Sequence, residues 1–464
     1  MEKTINNKEI KSSFRDPSGF LFFHEGVLYR QINEIYKEHY DHLMSSGLYD
    51  ALVKDGLLIP HEEIITDHLQ KNTAYKIIKP EKIAFISYPY EWCFSELKDA
   101  ALTTLKIQKI SLDFGMTLKD SSAYNIQFRN SKSVLIDTLS FEKYREGQPW
   151  VAYRQFCQHF LAPLALMSYT DIRLNQLLRT YIDGVPLDLA SSLLPVRTRF
   201  SFALLSNIHL HAKSQKHFAD KTLKENNRKM RRLSFLGLID NLESATKKLK
   251  WQAHGTEWAD YYNVSNYSSE AFQQKKQIVA EFIDIVNPKK VWDLGANTGS
   301  FSRIAGNKGI PTIAFDIDPA AVEKNYLECV KNSETNILPL LLDLTNPSPG
   351  IGWANEERLS FISRGPTDMV LALALIHHLA ISNNLPFRYI ADFLHRMCRY
   401  LIIEFVEKED SQVQKLLHTR EDIFDNYTKK YFENSFQDYF LIRKYKEITN
   451  TKRTLYLMEV HNAQ

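Results

Sequence analysis

The sequence predicts an α/β protein with two domains, in which an α+β domain is followed by a mostly parallel sheet that ends in an antiparallel strand pair. Two observations support this prediction. A chain of 464 residues exceeds what a single hydrophobic core normally serves. From Ser269 onward, short apolar runs alternate with helical patterns, which is typical of parallel strands joined by helical crossovers.

The composition is that of an ordinary globular chain, with 44% hydrophobic residues, 24% charged residues and a formal net charge of +3. A charge balance this close to neutral does not indicate a nucleic-acid or membrane partner. The four cysteines are scattered without metal-ligand or disulfide-framework spacing. The N-terminus has no apolar leader, and no run of about 18 apolar residues follows it. We therefore expect a cytoplasmic protein without a membrane span.

The N-terminal part mixes strand and helix patterns. Glycine marks both the turn of the first expected hairpin and the end of the long helix, where a residue without a β-carbon adopts the required backbone angles. A polar four-residue segment separates the two runs of the second hairpin. The elements expected in order are a hairpin over Gly19–Ile32, a strand over Lys82–Tyr88, a helix over Ser95–Phe114 and a hairpin formed by Asn125–Phe128 and Ser133–Asp137.

The predicted domain boundaries follow changes in composition. Helical periodicity rich in Leu, Ala and Phe extends from Trp150 to about Ser214. A basic and polar stretch then begins, which we interpret as a linker with a solvated helix. The sequence therefore predicts an N-terminal α+β domain over residues 1–212, a basic helical linker over residues 213–253 and a C-terminal domain over residues 254–464.

Five apolar runs in the C-terminal domain predict parallel strands, and two final runs without an intervening helix predict an antiparallel pair at the sheet edge. Each of the five is short and leads into a turn or a helical pattern. The expected strands are Lys290–Leu294, Thr312–Asp316, Ile337–Leu342, Met369–Leu373 and Tyr400–Glu404, followed by Tyr439–Tyr445 and Arg453–Val460.

The first of these strands leads into a glycine-rich turn, Asp293-Leu294-Gly295-Ala296-Asn297-Thr298-Gly299. Glycines at this point allow tight backbone angles and close approach of a ligand. The turn resembles the D-x-G-x-x-x-G motif of class I S-adenosylmethionine-dependent methyltransferases, which have a Rossmann-like sheet. That resemblance implies that Asp293 anchors the methionine end of the cofactor, while Gly295, Gly299 and Asn297 line its path. A dinucleotide-binding turn is the alternative, although the G-x-G-x-x-G pattern is not met.

Two further acids end the next two predicted strands. Asp316 ends the second, where a carboxylate can accept hydrogen bonds from both ribose hydroxyls. Asp318 is expected to cap the helix that begins at Pro319. Asp343 ends the third strand, and the methyltransferase resemblance implies a contact with the adenine amino group. Each acid alone is typical of a strand-end turn, but three in succession behind a glycine turn favour a cofactor site.

Two histidines, His377 and His378, follow the fourth predicted strand. This segment resembles the part of small-molecule methyltransferases where the methyl acceptor approaches the cofactor. A histidine there would remove a proton from the acceptor, because its pKa lies near working pH. A purely structural role at the start of a helix is the alternative. Glu404, at the end of the fifth strand, is a weaker candidate for the same pocket.

Asp120, Asn125 and Asp137 in the N-terminal domain have the spacing of a protein-kinase-like catalytic loop and metal-binding strand. The resemblance implies that Asp120 is the base and that Asn125 and Asp137 bind Mg²⁺ with ATP. The chain departs from the kinase pattern: it lacks the His before Asp120, the Phe-Gly after Asp137 and the glycine-rich loop. Arg30 and Lys76 are poor substitutes for the nucleotide-binding lysine. The alternative is an accessory domain with these residues in turns.

Together these features predict a methyltransferase that uses S-adenosylmethionine. The expected acceptor is a small molecule or a glycan or carrier-bound hydroxyl, by analogy with bacterial glycan-modifying proteins that combine kinase-like and methyltransferase modules. Two alternatives stay open: a bifunctional kinase-methyltransferase, and a binding or scaffold protein with a degenerate kinase-like domain. A nucleic-acid partner is not expected, since no aromatic residues are interleaved with the basic stretch. The sequence leaves the acceptor and the oligomeric state open.

Overall fold

A computed structural model describes residues 8–65, 73–211, 230–253, 268–418 and 420–461. The chain forms two compact units. The first unit comprises residues 1–251 together with 350–358, and the second comprises residues 252–349 and 359–464. The predicted linker, residues 213–253, lies partly outside the described residues, and its described part contains the helix Arg232–Lys248.

The first unit contains a five-stranded antiparallel sheet with the strand order β1-β2-β3-β5-β4. The predicted hairpin Gly19–Ile32 is confirmed as β2 and β3, and its turn at Glu25 and Gly26 has positive φ angles of 50° and 78°. The strands are β1 (Lys8–Glu9), β2 (Gly19–His24), β3 (Val27–Asn33), β4 (His61–Ile64) and β5 (Ala74–Pro80).

The predicted strand Lys82–Tyr88 is wrong, because the strand of this region is β5, which ends at Pro80. The apolar run that follows β5 has no partner strand in the described part of the chain. At Ser87 a side chain binds the backbone in place of a partner strand: the Ser87 N–H donates to Gln127 Oε1 at 2.9 Å, and Gln127 Nε2 donates to the Ser87 carbonyl at 2.9 Å. The strand-like composition of this segment therefore belongs to a partly buried connection between β5 and the long helix.

Beyond this connection, the long helix and the second hairpin are confirmed. The helix covers Phe94–Asp113, and Gly115 follows its end with a φ of 69°. The second hairpin pairs Ile126–Arg129 with Lys132–Leu135. The strands of this region are β6 (Met116–Leu118), β7 (Ile126–Arg129), β8 (Lys132–Leu135) and β9 (Phe141–Lys143), with β6 paired to β9.

Helices complete the first unit. The helix inside the predicted linker buries Phe235, Ile239 and Leu242 on one face, so burial holds it to this unit rather than leaving it solvated. The helices are α1 (Lys37–Ser45), α2 (Leu48–Lys54), α3 (Phe94–Asp113), α4 (Tyr153–Phe156), α5 (Ala162–Tyr169), α6 (Leu177–Thr180), α7 (Leu187–Leu193), α8 (Phe202–Leu204) and α9 (Arg232–Lys248).

The second unit contains a seven-stranded sheet with the order β12-β11-β10-β13-β14-β16-β15. The first five are parallel, and β16 pairs antiparallel with both β14 and β15. This order confirms the predicted Rossmann-like sheet, which is mostly parallel and has an antiparallel strand pair at its C-terminal edge. The strands are β10 (Val291–Leu294), β11 (Thr312–Asp316), β12 (Ile337–Leu341), β13 (Thr367–Ala372), β14 (Cys398–Val406), β15 (Phe440–Glu447) and β16 (Arg453–Val460).

The strand order reverses at β10, because the chain first adds β11 and β12 on one side and then β13 and β14 on the other. Parallel sheets open a crevice at the carboxyl ends of the strands at such a point. The helices of this unit are α10 (Ser269–Val286), α11 (Ser302–Gly306), α12 (Pro319–Asn332), α13 (Phe387–Met397), α14 (Ser411–Leu417) and α15 (Lys429–Gln437).

The buried face of α10 forms part of the core below this crevice. Ile278, Val279 and Phe282 lie within one apolar cluster with Val291 of β10 and Met369 of β13. Their burial holds α10 to the sheet, because the hydrophobic effect is roughly proportional to the apolar area removed from water. None of the described helices is long and apolar enough to cross a membrane.

We expect Phe282→Ala to lower the free energy of unfolding by about 3–5 kcal/mol, because it leaves a cavity where a side chain with 0% exposure packs. Chemical denaturation followed by circular dichroism measures the change. Ile285→Ala on the same helix is the matched control, since Ile285 is 55% exposed and its truncation should cost little. Equal losses in the two variants would contradict this assignment of the core.

Candidate cofactor site

A cavity of about 370 Å³ lies in the second unit. It opens where the carboxyl ends of β10, β11, β12 and β13 meet, which is the crevice expected from the strand order. Five of the six predicted cofactor residues line it. They are Asp293, Gly295, Asn297, Asp316 and Asp343.

The glycine-rich turn follows β10, and three of its residues have positive φ angles: 78° at Gly295, 50° at Asn297 and 80° at Gly299. The Gly295 and Ala296 N–H groups donate to the Phe315 carbonyl at 2.9 Å, which ties the turn to β11. Gly299 does not line the cavity. A β-carbon at Gly299 would lie 2.5 Å from Asn325 Oδ1, so this glycine serves close packing.

Asp293 ends the central strand with its side chain almost completely buried. Its Oδ2 accepts a hydrogen bond of 2.6 Å from Ser302 Oγ at the start of α11. Burial raises the pKa of Asp293 to about 7, and the Ser302 hydrogen bond opposes part of this effect. The carboxyl group therefore changes charge near neutral pH.

Asp316 ends β11 and is held by backbone donors. Its Oδ2 accepts from the Asn297 N–H at 2.7 Å, and its Oδ1 accepts from the Asp318 N–H at 2.9 Å. These bonds fix the carboxylate against the glycine-rich turn. Burial raises the pKa of Asp316 to about 6, although both hydrogen bonds oppose the increase.

Asp318, the expected helix cap, accepts a hydrogen bond from the Ala320 N–H at 2.8 Å, and α12 begins at Pro319. That role is confirmed. Asp343, just after β12, is half-buried at the cavity wall, where its Oδ1 accepts hydrogen bonds from Thr345 N and Oγ1 at 2.8 and 2.6 Å. Three carboxylates from consecutive strand ends thus surround one cavity.

The two histidines after β13 have different surroundings. His378 lines the cavity at the start of a π-helical segment, His378–Ser382. Burial and then the nearby Arg453 lower the pKa of His378 to about 4, so its ring is neutral at ordinary pH. His377 is fully buried and does not line the cavity, and neither of its ring nitrogens has a hydrogen-bond partner among the described residues.

Lys275, which the sequence analysis missed, also lines the cavity. Its side chain is 3% exposed, and its Nζ lies 2.6 Å from Glu404 Oε2 and 4.6 Å from the centre of the Phe301 ring. Burial lowers the pKa of this ammonium, and Glu404 opposes the decrease. The signal was available in the sequence, because Lys275 falls on the stripe that α10 buries, between Ala271 and Ile278.

Glu404 belongs to a buried charge network that borders the cavity. Its Oε2 also accepts a hydrogen bond from the Ala374 N–H at 2.7 Å, which fixes the turn leading to the histidines. Arg453 Nη1 lies 3.5 Å from Glu404 Oε1, and the Arg453 guanidinium donates to both carboxylate oxygens of Asp410 at 2.9 and 3.2 Å. The positive charges of Lys275 and Arg453 thus neutralise the negative charges of Glu404 and Asp410, and buried charges require such partners.

In the first unit, the three kinase-like residues lie around Ser140. Asn125 Nδ2 donates to Ser140 Oγ at 3.3 Å, and Ser140 Oγ donates to Asp137 Oδ2 at 2.9 Å. Asp120 lies near enough to Asp137 for the charge of Asp137 to raise the pKa of Asp120, after burial as the larger cause. The structure therefore brings the three predicted residues together.

The two candidate replacements for a nucleotide-binding lysine have carboxylate partners. Arg30 Nη1 lies 2.5 Å from Asp137 Oδ1, within the kinase-like group itself. Lys76 Nζ lies 2.5 Å from Glu63 Oε2 on the neighbouring strand β4. Only Arg30 of these two directly contacts one of the three kinase-like residues.

Comparison with solved structures finds low overall similarity. The chain is 15% identical to magnesium protoporphyrin IX methyltransferase from Synechocystis PCC 6803, with a TM-score of 0.30 and coverage of 44% of this chain and 98% of that one. It is 14% identical to a structure of WbdD, with a TM-score of 0.30 and coverage of 43% of each chain.

No protein-family model matches the sequence. Comparison with curated proteins gives a full-length relative, nodulation protein NoeA from Rhizobium meliloti strain 1021. The two chains are 36% identical over 458 residues, which cover 97% of this chain and 96% of the relative. The chain belongs to the family of nodulation protein NoeA.

Proposed function

We propose that this protein is an S-adenosylmethionine-dependent methyltransferase that acts on a small molecule or on a hydroxyl of a glycan or carrier-bound substrate. The observation that carries the proposal is one cavity lined by a glycine-rich turn and by Asp293, Asp316 and Asp343. They come from three neighbouring strand ends at the point where the strand order reverses. When bound, the cofactor supplies an activated methyl group on its sulfonium.

The acids on β11 and after β12 suit the nucleoside part of the cofactor. The carboxylate of Asp316 is already oriented by two backbone N–H groups, and its remaining lone pairs can accept hydrogen bonds from ribose hydroxyls. Asp343 is the proposed acceptor for the adenine amino group. Gly295 places no side chain between these acids and the ligand.

The opposite charges of Asp293 and Lys275 suit the amino-acid part of the cofactor. Among the described residues that line the cavity, Lys275 carries the only ammonium group. It is the proposed partner of the methionine carboxylate, while Asp293 is the proposed partner of the methionine ammonium. Each buried charge of the ligand would then face a charge of opposite sign.

His378 is the proposed base that faces the acceptor. Its neutral ring can accept a hydrogen bond from an acceptor hydroxyl and take the proton as the new bond to carbon forms. Its pKa of about 4 makes it a weaker base than the sequence predicts, because burial disfavours the charged form of the ring. His377 lies 4.2 Å from it, centre to centre, and we assign it the role of a packing neighbour. Orientation of the acceptor contributes the larger part of the rate, since an activated methyl donor needs little further assistance.

The surface of the cavity near His378 supports a neutral, hydroxyl-rich acceptor. Ser382 and Asn383 are exposed there. Ser382 offers a hydroxyl and Asn383 its amide oxygen, since Asn383 Nδ2 already donates to the His378 carbonyl at 3.0 Å. Leu379 and Leu416 offer apolar surface beside them. Sites of this kind, mostly apolar with a few polar groups that fix orientation, are typical for small molecules.

The first test is calorimetric titration with S-adenosylmethionine. We expect Asp316→Ala to weaken binding by about 10- to 100-fold, because hydrogen bonds to a charged group contribute about 1.5–3 kcal/mol. Asp284→Ala is the matched control, since Asp284 lies on the exposed surface of α10 and pairs with Lys308. Failure of the folded wild-type protein to bind the cofactor would overturn the proposed function.

Binding should also depend on pH. Protonation of Asp293 near pH 7 and of Asp316 near pH 6 removes the charges that face the ligand, so affinity should fall as the pH decreases from about 8 to about 5.5. Each protonated carboxyl group contributes a decrease approaching about tenfold per pH unit below its pKa. Titrations with S-adenosylhomocysteine measure the effect. A constant affinity over this range would contradict the assigned roles of both acids.

Lys275 can be tested with a ligand that lacks the amino-acid group. Lys275→Met should weaken binding of S-adenosylhomocysteine by about 10- to 100-fold more than it weakens binding of 5′-methylthioadenosine. Only the first ligand carries the carboxylate that Lys275 would bind, whereas loss of the partner of Glu404 affects both ligands. Lys276→Met is the control, because Lys276 is the neighbouring lysine and does not line the cavity. Lys275→Arg, which keeps a cation beside Glu404, should restore part of the loss. Equal loss for both ligands would indicate a structural role only.

A further inference from the structure

The kinase-like group in the first unit already contains a cation. Asp137, the residue that would bind a metal ion in a kinase-like site, already has one ion pair and two hydrogen bonds within the protein. Its Oδ1 lies 2.5 Å from Arg30 Nη1 and accepts a hydrogen bond of 2.9 Å from the Leu139 N–H, and its Oδ2 accepts one of 2.9 Å from Ser140 Oγ. Both carboxylate oxygens are therefore used.

The other two members of the group are also engaged. Asn125 Nδ2 donates to Ser140 Oγ, so this amide is directed to the hydroxyl that Asp137 holds. Asp120 Oδ1 accepts a hydrogen bond of 2.9 Å from the Ser122 N–H, as in a turn. Burial raises the pKa of Asp120, and the charge of Asp137 adds to the increase. Of these two neighbouring carboxyl groups, Asp137 is the one that pairs with the guanidinium group of Arg30.

Arg30 is firmly placed. It lies in β3, where it is opposite Leu21 of β2 and Ile78 of β5, and its side chain is 10% exposed. The second nearby cation, Lys119, is directed elsewhere: its Nζ donates to Ser18 Oγ at 2.8 Å and lies 3.5 Å from Asp16 Oδ1. The pairing of Arg30 with β2 and β5 therefore fixes the position from which its side chain contacts Asp137.

A magnesium ion does not fit these residues as they stand. Mg²⁺ requires near-octahedral oxygen ligands at about 2.0–2.1 Å, and Asp137 would have to supply at least one of them. The guanidinium group of Arg30 occupies the space next to the same oxygen and repels a second cation.

We infer that Arg30 takes the place of a divalent metal ion in the first unit, and that this unit is a metal-independent module without phosphotransfer activity. The ion pair joins β3 to the segment after β8, as a bound metal and nucleotide would join the same two parts of a kinase. The inference concerns a separate site from the cofactor cavity and does not depend on the proposed methyl transfer.

Thermal unfolding of the full-length protein tests the inference. The wild-type melting temperature should be the same in EDTA, in MgCl₂, and in MgCl₂ with ATP. Arg30→Met should lower the melting temperature in EDTA, and Mg²⁺ or Mn²⁺ should restore part of the loss by binding the vacated carboxyl groups. Arg129→Met is the matched control, because Arg129 pairs with Glu81 on the surface, at 2.6 Å, and its loss should change little.

A double-mutant cycle keeps the inference testable if Mg²⁺ has no effect on Arg30→Met. Combining Arg30→Met with Asp137→Asn should lower the melting temperature no more than the more harmful single change, since both remove the same ion pair. Additive losses would overturn the inference. So would stabilisation of the wild type by Mg²⁺ with ATP that Asp137→Asn abolishes, because the metal would then bind despite Arg30.

Discussion

The buried ion pair between Lys275 and Glu404 is the contact on which the geometry of the second unit depends. It joins α10 to β14, and the same Glu404 oxygen holds the backbone of Ala374 at the turn after β13. Through Arg453, the network continues to Asp410 at the start of α14. One set of balanced charges therefore fixes three walls of the cavity, where burial of any single charge without its partner would be costly.

The electrostatics of the cavity follow from the fold itself. Parallel strands bring their carboxyl ends to one edge of the sheet, and the acids that end neighbouring strands then meet where little water reaches them. Burial raises the pKa values of Asp293 and Asp316 for this reason. A ligand with two hydroxyls and an ammonium group would relieve this cost, which is the physical basis of the function that we propose.

The sequence predicted the features that repeat along the chain and missed those that depend on a single distant partner. The apolar runs that alternate with helical patterns were sufficient to predict the strands of the seven-stranded sheet. The acids at the strand ends were sufficient to predict residues that line the cavity. The predicted strand Lys82–Tyr88 was wrong because the sequence does not show that a distant amide side chain, Gln127, binds the backbone of this segment at Ser87. The sequence also did not distinguish His377 from His378, of which only His378 lines the cavity. Lysine on a helix is normally solvent-exposed, which is why Lys275 was missed.

The antiparallel pair that closes the sheet has a consequence for the behaviour of the chain in concentrated solution. β15 is the outermost strand, so one row of its backbone groups has no neighbouring strand within the described residues. Arg443, Lys444 and Lys446 are spaced along it, and the two lysines pair with Glu281. Charged side chains on an edge strand oppose the addition of a strand from another molecule. The edge is thereby protected against strand-by-strand aggregation.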